Sequence, residues 1–210
     1  MIKCASTRNG FTIVELLIVV VVIAILASIT IISYNGIQKR SLNLQTTTAV
    51  SEWAKSLIVY ATVNGDYPFT GDVNQLTPYP TDTQSVTDNY PCLGQYPGGR
   101  CASVNNVSVL GAGYAFVNPA WNDLMKTQAG SNLPQPNPNA IVINGQPHRG
   151  AYINLVGYST GRAAPGIGPT IAYFLMGNDT QCDPIGAGTM QAIARGDNGV
   201  RCTVMLPSFR

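Results

Sequence analysis

The chain has 210 residues, and its 12 lysine and arginine side chains against 10 aspartate and glutamate side chains leave a formal net charge of +2. This near-balance excludes a global basic field for nucleic acid, and the length suits one membrane-inserted helix plus one domain of ordinary size. Charged residues make up only 10% of the chain, which is low for a soluble domain, while 21 glycines and 14 prolines favour short strands and turns.

The N-terminus joins a short polar leader to a long apolar run. Residues 1–10 include Lys3 and Arg8, and no charged side chain occurs from residue 16 to residue 38. The apolar core is about the length needed to cross a bilayer as a helix. Glu15 lies near its start, where a carboxylate is costly and usually functional. The small-residue junction at Gly10 precedes the apolar core, whereas a secretory signal is cleaved after it.

The run GFTIVELL at residues 10–17, with the apolar helix behind it, resembles the class III signal of type IV pilins and pseudopilins. The resemblance implies that a prepilin peptidase cleaves between Gly10 and Phe11 and methylates the Phe11 amine. It also implies that Glu15 pairs with that amine on a neighbouring subunit as a helical filament assembles. A carboxylate in an apolar medium must protonate or find a cation, which agrees with this role. A plain signal anchor with an interfacial glutamate is the alternative.

The chain divides into four segments on this interpretation. Residues 1–10 form the leader peptide, and residues 11–34 form a helix that spans the membrane and later lies in the filament core. Residues 35–64 continue that helix in amphipathic form, and residues 65–210 form an extracytoplasmic, disulfide-bonded head rich in β-structure.

The second half of the helix carries signals for packing and for its end. A set of apolar residues at helical spacing predicts the face that packs on the head: Val50, Trp53, Leu57, Ile58 and Ala61. Asn35-Gly36 predicts a bend or local melting, because glycine weakens a helix. The motif NGDYP at residues 64–68 predicts the end of the helix, and it again resembles the pilin pattern.

The rest of the chain predicts a loop-rich region at residues 66–103 and then short strands. Seven apolar runs broken by Gly, Pro and Asn are typical of antiparallel strands: VSVL (107–110), YAFV (114–117), AIVI (140–143), AYINLVGY (151–158), TIAYFLM (170–176), MQAIA (190–194) and VRCTVML (200–206). The Pro-rich residues 134–138 predict an exposed loop. The fold class is therefore α+β, with the long N-terminal helix packed on an antiparallel β-sheet head, as the resemblance also implies.

Four cysteines remain when the leader with Cys4 is removed. An even number in an exported domain predicts disulfides, and four cysteines allow three pairings. The pairs Cys92–Cys101 and Cys182–Cys202 are favoured because each is closest in sequence. The second pair resembles the disulfide that borders a C-terminal surface loop in pilins. A zinc site is disfavoured, because the chain has no CxxC motif and one histidine.

Catalytic and ligand-binding signals are weak. His148 is predicted in a loop, and no GxSxG motif is present, so no catalytic residue and no cofactor are expected. Asp179 and Asp183 are weak candidates for calcium, although their order is not that of an EF-hand.

The C-terminal part of the head carries most of the basic residues. These predict either complementary faces between stacked subunits and solvated loops, or weak binding of DNA or an anionic surface that a filament would amplify. The residues are Arg149, Arg162, Arg195, Arg201 and Arg210.

These observations predict a structural subunit rather than an enzyme: a pilin that crosses the cytoplasmic membrane once and then joins a surface filament for adhesion, motility or DNA uptake. The disulfides place the head outside the cell. The resemblance implies a prepilin peptidase, a membrane platform protein and cytoplasmic ATPases as partners. The alternatives are a pseudopilin of a type II secretion system, a minor tip pilin or adhesin and, remotely, a membrane-anchored enzyme that uses His148.

Overall fold

A computed structural model describes residues 10–68, 90–103, 115–117, 119–129, 134–154, 168–185 and 189–209. These residues form two α-helices, α1 (Ile13–Asn64) and α2 (Pro119–Ala129). They also form nine strands: β1 (Tyr90–Pro91), β2 (Arg100–Ser103), β3 (Ala115–Phe116), β4 (Ile141–Ile143), β5 (Gln146–Arg149), β6 (Ala151–Asn154), β7 (Thr170–Met176), β8 (Thr189–Gly196) and β9 (Gly199–Met205). The chain divides into two compact units, Met1–Arg40 and Ser41–Arg210, so the second half of α1 belongs with the strands.

Helix α1 is continuous over 52 residues. It passes through Gly36 without interruption, so the predicted local melting does not occur. One glycine costs a helix only about 1 kcal/mol relative to alanine, which the flanking helical residues outweigh. The helix ends as NGDYP predicts: Gly65 adopts a left-handed φ of 77°, and its N–H donates to the Ala61 carbonyl at 2.8 Å.

The predicted packing face of α1 is confirmed. Val50, Trp53, Leu57 and Ala61 are buried in one apolar cluster, and Ile58 packs against the same cluster at its edge. This spacing of three and four residues places the side chains on one stripe of the helix. The stripe covers one face of a sheet, as an amphipathic helix in an α+β fold must.

The strands form two sheets within the second unit. The first has the order β1-β3-β2-β5-β4, and the second has the order β6-β7-β9-β8. The described pairs are antiparallel, except that β1 runs parallel to β3. In β7, residues 171–175 are all buried, because the α1 cluster covers one face of this strand and the cluster of the first sheet covers the other. This double burial explains why TIAYFLM is a continuous apolar run rather than an alternating one.

Six of the seven predicted strand runs overlap a strand of the structure, and VSVL (107–110) lies outside the described residues. The loop-rich assignment of residues 66–103 missed β1 and β2, which are short and exist by pairing with β3 and β5. Strand β5, further along the chain, was not predicted either. A two-residue turn leads into β5, with φ of 51° at Asn144 and 73° at Gly145, and Asn-Gly favours such a hairpin.

Helix α2 was also missed, although its sequence carries two helix signals. Pro119 occupies its first position, where the absent N–H is harmless, and Trp121 and Met125 lie one turn apart. Both side chains are buried, and the Trp121 ring stacks on Trp53 of α1 with centroids 5.2 Å apart. The helix is short, so this tertiary contact matters more than its local propensity.

The prediction that residues 134–138 form an exposed loop is wrong. Pro136 and Asn137 are buried, and the segment lies against α1. The Asn137 N–H donates to Thr46 Oγ1 at 3.1 Å, and Trp53 Nε1 donates to the Pro134 carbonyl at 3.1 Å. An extended segment rich in proline has few N–H groups to satisfy, so a small number of helix side chains is enough to hold it in a buried position.

Candidate functional site

The start of α1 is exposed to solvent, so another protein can reach it. Gly10, Phe11 and Thr12 precede the helix, which begins at Ile13. Among the described residues beyond its chain neighbours, none has an atom within 4 Å of the place where a Cβ on Gly10 would stand, and Phe11 is 84% exposed. The Gly10–Phe11 peptide bond is therefore accessible to an enzyme that approaches this end of the chain.

Glu15 closes a capping box with Thr12. The Thr12 N–H and hydroxyl both donate to Glu15 Oε2, at 2.9 and 2.8 Å, and the Glu15 N–H donates to Thr12 Oγ1 at 3.2 Å. These bonds satisfy N–H groups that a helix start leaves without partners, and the carboxylate also interacts favourably with the helix dipole. The pattern Thr-x-x-Glu signals this box in the sequence, but Glu15 was predicted only as a partner for a second subunit or, alternatively, as an interfacial glutamate of a signal anchor.

The apolar half of α1 has no cover within the described chain. It includes a stretch long and apolar enough to cross a membrane, none of which is buried. The exposed fraction of its large apolar side chains ranges from 47% at Val21 to 86% at Ile13. An apolar surface of this extent indicates insertion in a membrane or packing against other chains.

The structure joins Cys92 to Cys101 and Cys182 to Cys202, the two pairs favoured by sequence proximity. The Cα atoms are 5.8 and 5.7 Å apart, within the usual range for a disulfide. Cys92 and Cys101 are buried in the cluster of the first sheet, and Cys202 is buried in the cluster under α1. Each bridge contributes about 2–4 kcal/mol by restricting the unfolded chain.

The two weak calcium candidates have different surroundings. Asp179 lies in the turn after β7 and lines an open depression with Asn178, Gly196 and Asp197, whereas Asp183 does not line it. Within the described residues, no group of three or more histidine, cysteine, aspartate or glutamate side chains comes together.

The prediction that His148 lies in a loop is wrong. It belongs to β5, is 2% exposed, and stacks on Phe174 with ring centroids 4.8 Å apart. Its Nδ1 lies 3.1 Å from the Ala102 carbonyl, and because a carbonyl only accepts, this contact places the proton on Nδ1. Its Nε2 is buried and finds no hydrogen-bond partner among the described residues. A buried imidazole of this kind is unavailable to an external substrate and acts in packing.

Burial lowers the pKa of His148 below its ordinary 6.5; the Ala102 hydrogen bond partly opposes this, and the Arg201 charge adds to it. The unfolded chain therefore binds a proton near pH 6.5 that the folded chain binds only at lower pH. We expect the free energy of unfolding to be independent of this group above that range and to fall as the pH drops below 6.5. Urea unfolding of the full chain between pH 4.5 and 8, followed by circular dichroism, measures this dependence.

His148→Phe is the matched control, because it keeps a ring in the stack with Phe174 but cannot be protonated. The variant should lose the part of the pH dependence that lies just below pH 6.5. An unchanged pH profile in His148→Phe would show that other groups cause the loss of stability in acid.

Two of the basic residues of the C-terminal part are used inside the head. Arg149 donates from Nε to the Arg100 carbonyl at 3.1 Å and from Nη2 to the Pro97 carbonyl. Arg201 is 3% exposed and lies over the Tyr152 ring. Arg162 and Arg210 lie outside the described residues. These internal roles weaken the predicted basic strip, because a buried or internally bonded guanidinium has little capacity left for phosphate.

The comparison with family models finds the prokaryotic N-terminal methylation motif at residues 5–31. The matched residues contain Gly10, Phe11, Thr12 and Glu15 and extend into the exposed apolar half of α1. The N-terminal segment, with the long apolar helix that follows, thus matches a class III prepilin signal, and this match supports a type IV pilin or pseudopilin. Neither the curated proteins nor the solved structures include a match to this chain.

Proposed function

We propose that this chain, whose N-terminal segment matches a class III prepilin signal, is a pilin: a structural subunit that polymerises through α1 into a type IV pilus on the cell surface. One observation carries the proposal. The methylation motif continues directly into a helix whose apolar half is exposed all round, with a single carboxylate at its start. Such a helix needs the membrane before assembly and needs other helices after it.

The assembly mechanism follows from the N-terminal turn. A prepilin peptidase cleaves the exposed Gly10–Phe11 bond and methylates the new amine, which places a cation beside the helix start. Glu15 then pairs with the Phe11 amine of a neighbouring subunit. Thr12 holds one oxygen of the Glu15 carboxylate, Oε2, and the other oxygen remains available for the incoming cation. In an apolar surrounding this pair stabilises the addition of a subunit, because an uncompensated charge there is costly.

The head and the assembly partners have separate roles in this function. The head (65–210) lies outside the membrane and forms the outer surface of the filament, with its two disulfides formed in an oxidising compartment. A membrane platform protein receives the processed subunit, and the filament is a homo-oligomer. A pseudopilin would use the same motif and the same helix, so the product of assembly distinguishes the two functions.

The direct test is the intact mass and N-terminal sequence of the chain in material sheared from cells. The pilus proposal expects a chain that begins at methylated Phe11, with the mass of two disulfides, in surface fibres. Absence of surface fibres together with a secretion defect in cells lacking the chain would assign it to a secretion pseudopilus. An uncleaved chain found only in the membrane would overturn the filament proposal and leave a signal anchor.

Replacing Gly10 should block processing. The variant Gly10→Val places a branched side chain at the peptide bond to be cleaved, where the structure shows an open backbone. We expect an unprocessed chain that accumulates in the membrane and yields no fibres. Mass spectrometry of the membrane fraction measures the ratio of uncleaved to cleaved chain.

Gly36→Val is the control for this experiment, because Gly36 is equally open but lies outside the matched motif. Its processing should equal that of the wild type. Complete cleavage of Gly10→Val after residue 10 would contradict the assignment of the cleavage site.

A further inference from the structure

The first turns of α1 within the head are held mainly by polar contacts. Among residues 41–48, the one buried side chain is Thr46, whereas the apolar Leu42 is half-buried and Leu44 is 56% exposed. From residue 49 onward the buried side chains are apolar, beginning with Ala49 and Val50. The head is therefore attached to α1 in two chemically distinct ways along the same helix.

Asn43 takes the place of a missing strand partner. Strand β6 begins at Ala151, which lies opposite Tyr173 of β7. The last residues of β7, up to Met176, therefore have no β6 residue opposite them. There Asn43 Nδ2 donates to the Met176 carbonyl at 3.0 Å, and the Met176 N–H donates to Asn43 Oδ1 at 2.8 Å. A carboxamide offers the same donor and acceptor as a peptide group, so it satisfies this end of β7 as a neighbouring strand would.

Two other residues in the same turn of α1, Gln45 and Thr46, bind the Pro-rich segment 134–138, which we call the strap. Thr46 Oγ1 accepts from the Asn137 N–H at 3.1 Å, and both side chains are at most 3% exposed. Gln45 Nε2 donates to the Gln135 carbonyl at 3.1 Å. The helix side chains thus bond to the backbone of the strap on both its donor and its acceptor groups.

The strap also holds the loop closed by the first disulfide. The Gln95 N–H donates to Gln135 Oε1 at 2.7 Å, within the loop that Cys92 and Cys101 close. At Gly94, where φ is 101°, an added Cβ would lie 2.5 Å from the same Oε1, so another residue would need a strained backbone and a shift of the Gln135 side chain. A continuous set of contacts therefore leads from α1 through the strap to the disulfide loop.

We propose that Asn43, Gln45 and Thr46 form a polar latch that fixes the rotation and register of α1 on the head. Hydrogen bonds are directional, whereas apolar side chains tolerate sliding, so these three residues define one position of the helix. When the latch opens, residues 41–48, the strap and the disulfide loop are released together, while the central pairs of β7 and β9 stay closed. The latch gives the head a local opening step that is distinct from unfolding.

Hydrogen exchange of the full, processed but unassembled chain in detergent, followed by mass spectrometry, tests this proposal. Asn43→Leu removes both bonds to Met176 and should speed exchange in residues 41–48 and 134–139 by about tenfold or more, since each lost bond is worth roughly fivefold. Thr46→Val, which keeps the side-chain shape, should produce a smaller increase in the same two regions. Reduction of Cys92–Cys101 by a phosphine should be faster in both variants.

Thr47→Val is the matched control. The hydroxyls of Thr46 and Thr47 both donate to carbonyls of α1 itself, at 3.2 Å in each case, but only Thr46 also accepts from the strap. Thr47→Val should leave exchange of the strap unchanged. Equal effects of Thr46→Val and Thr47→Val, or exchange that accelerates to the same degree in the β7–β9 pairs, would overturn the latch. Because the unassembled chain is measured, this result is independent of whether filaments form.

Discussion

Cells that produce the Glu15→Gln variant should contain a normally cleaved chain that does not assemble into surface fibres. Glutamine keeps the size of the side chain and can still accept from Thr12 in the capping box, so the start of α1 remains intact. It removes only the charge that would compensate the Phe11 amine of a neighbouring subunit. Leaving one partner of a desolvated charge pair without its counter-charge costs about 3–5 kcal/mol, enough to suppress subunit addition strongly. The amount of chain in sheared material, relative to the processed chain in the membrane, is the measurement.

Two controls separate the charge of Glu15 from its role in the capping box. Thr12→Val removes the hydroxyl that donates to Glu15 Oε2 but keeps the carboxylate, so fibres should still form. Glu52→Gln neutralises an exposed carboxylate that pairs with Lys55 elsewhere on the same helix, and it should leave both cleavage and assembly unchanged. Normal fibres from Glu15→Gln together with lost fibres from Thr12→Val would show that the helix cap, and not the charge pair, supports assembly.

Trp53→Ala should lower the free energy of unfolding of the head by about 3–5 kcal/mol, the usual cost of truncating a large buried aromatic side chain. Trp53 is 2% exposed, and its ring stacks on Trp121 at an interplanar angle of 9°. Its Nε1 also donates to the Pro134 carbonyl, so the substitution loses a hydrogen bond to the strap as well. Urea unfolding of the full chain, followed by circular dichroism, measures the loss.

A double-mutant cycle with Trp121→Ala isolates the contact between the two rings. We expect a coupling energy of about 0.5–1.5 kcal/mol, as for other stacked aromatic pairs. Thr62→Ala serves as the control for α1, because Thr62 is exposed and bonds only to the Ile58 carbonyl of its own helix. Additive effects of the two tryptophan substitutions would mean that α2 is held by other contacts and that the stacked geometry contributes little.

The substitution at Glu15 should affect assembly, whereas the substitution at Trp53 should affect folding of the head, so the two variants test different steps. Glu15 is at the exposed start of α1, so its neutralisation should leave the stability of the head unchanged. Trp53 lies inside the head, so its loss should reduce the amount of folded chain before assembly begins. A stable head that fails to assemble and an unstable head that is degraded are therefore separable outcomes.

Histidine and arginine residues show the limits of the sequence analysis. His148 lies between Pro147 and Arg149, a polar context that is typical of a loop, yet pairing with Ile141 and Ser103 makes it part of β5. Arg201 lies in a strand whose other residues are mostly apolar. It is buried because apolar clusters lie against both faces of the second sheet. The strand around Arg201 was predicted from its apolar neighbours, but the burial of Arg201 was not, because burial depends on elements that pack against the strand. The strand around His148 was missed because its polar local sequence does not show its pairing with β2 and β4.

The amino-acid sequence by itself determined helix α1 and its two ends. A helix with an apolar surface all round, a carboxylate at its start and a glycine before it depends on residues that are neighbours in the chain, and so does the end of α1 at Gly65. The long apolar strands β7 and β9 were equally evident, because burial of β7 on both faces leaves an uninterrupted apolar signal.

Only the tertiary structure decided the parts whose partners are far apart in sequence. The short strands β1 and β2 exist through pairing, α2 depends on the stacked tryptophan rings, and the strap is buried because Thr46 and Trp53 bond to its backbone. In each of these elements the local signal is weak, and the free energy comes from contacts between residues at least 14 positions apart in the chain, as for Cys101 opposite Ala115. Such contacts leave no periodic pattern in the sequence, which is why the helix and its processing signal were predictable and the latch was not.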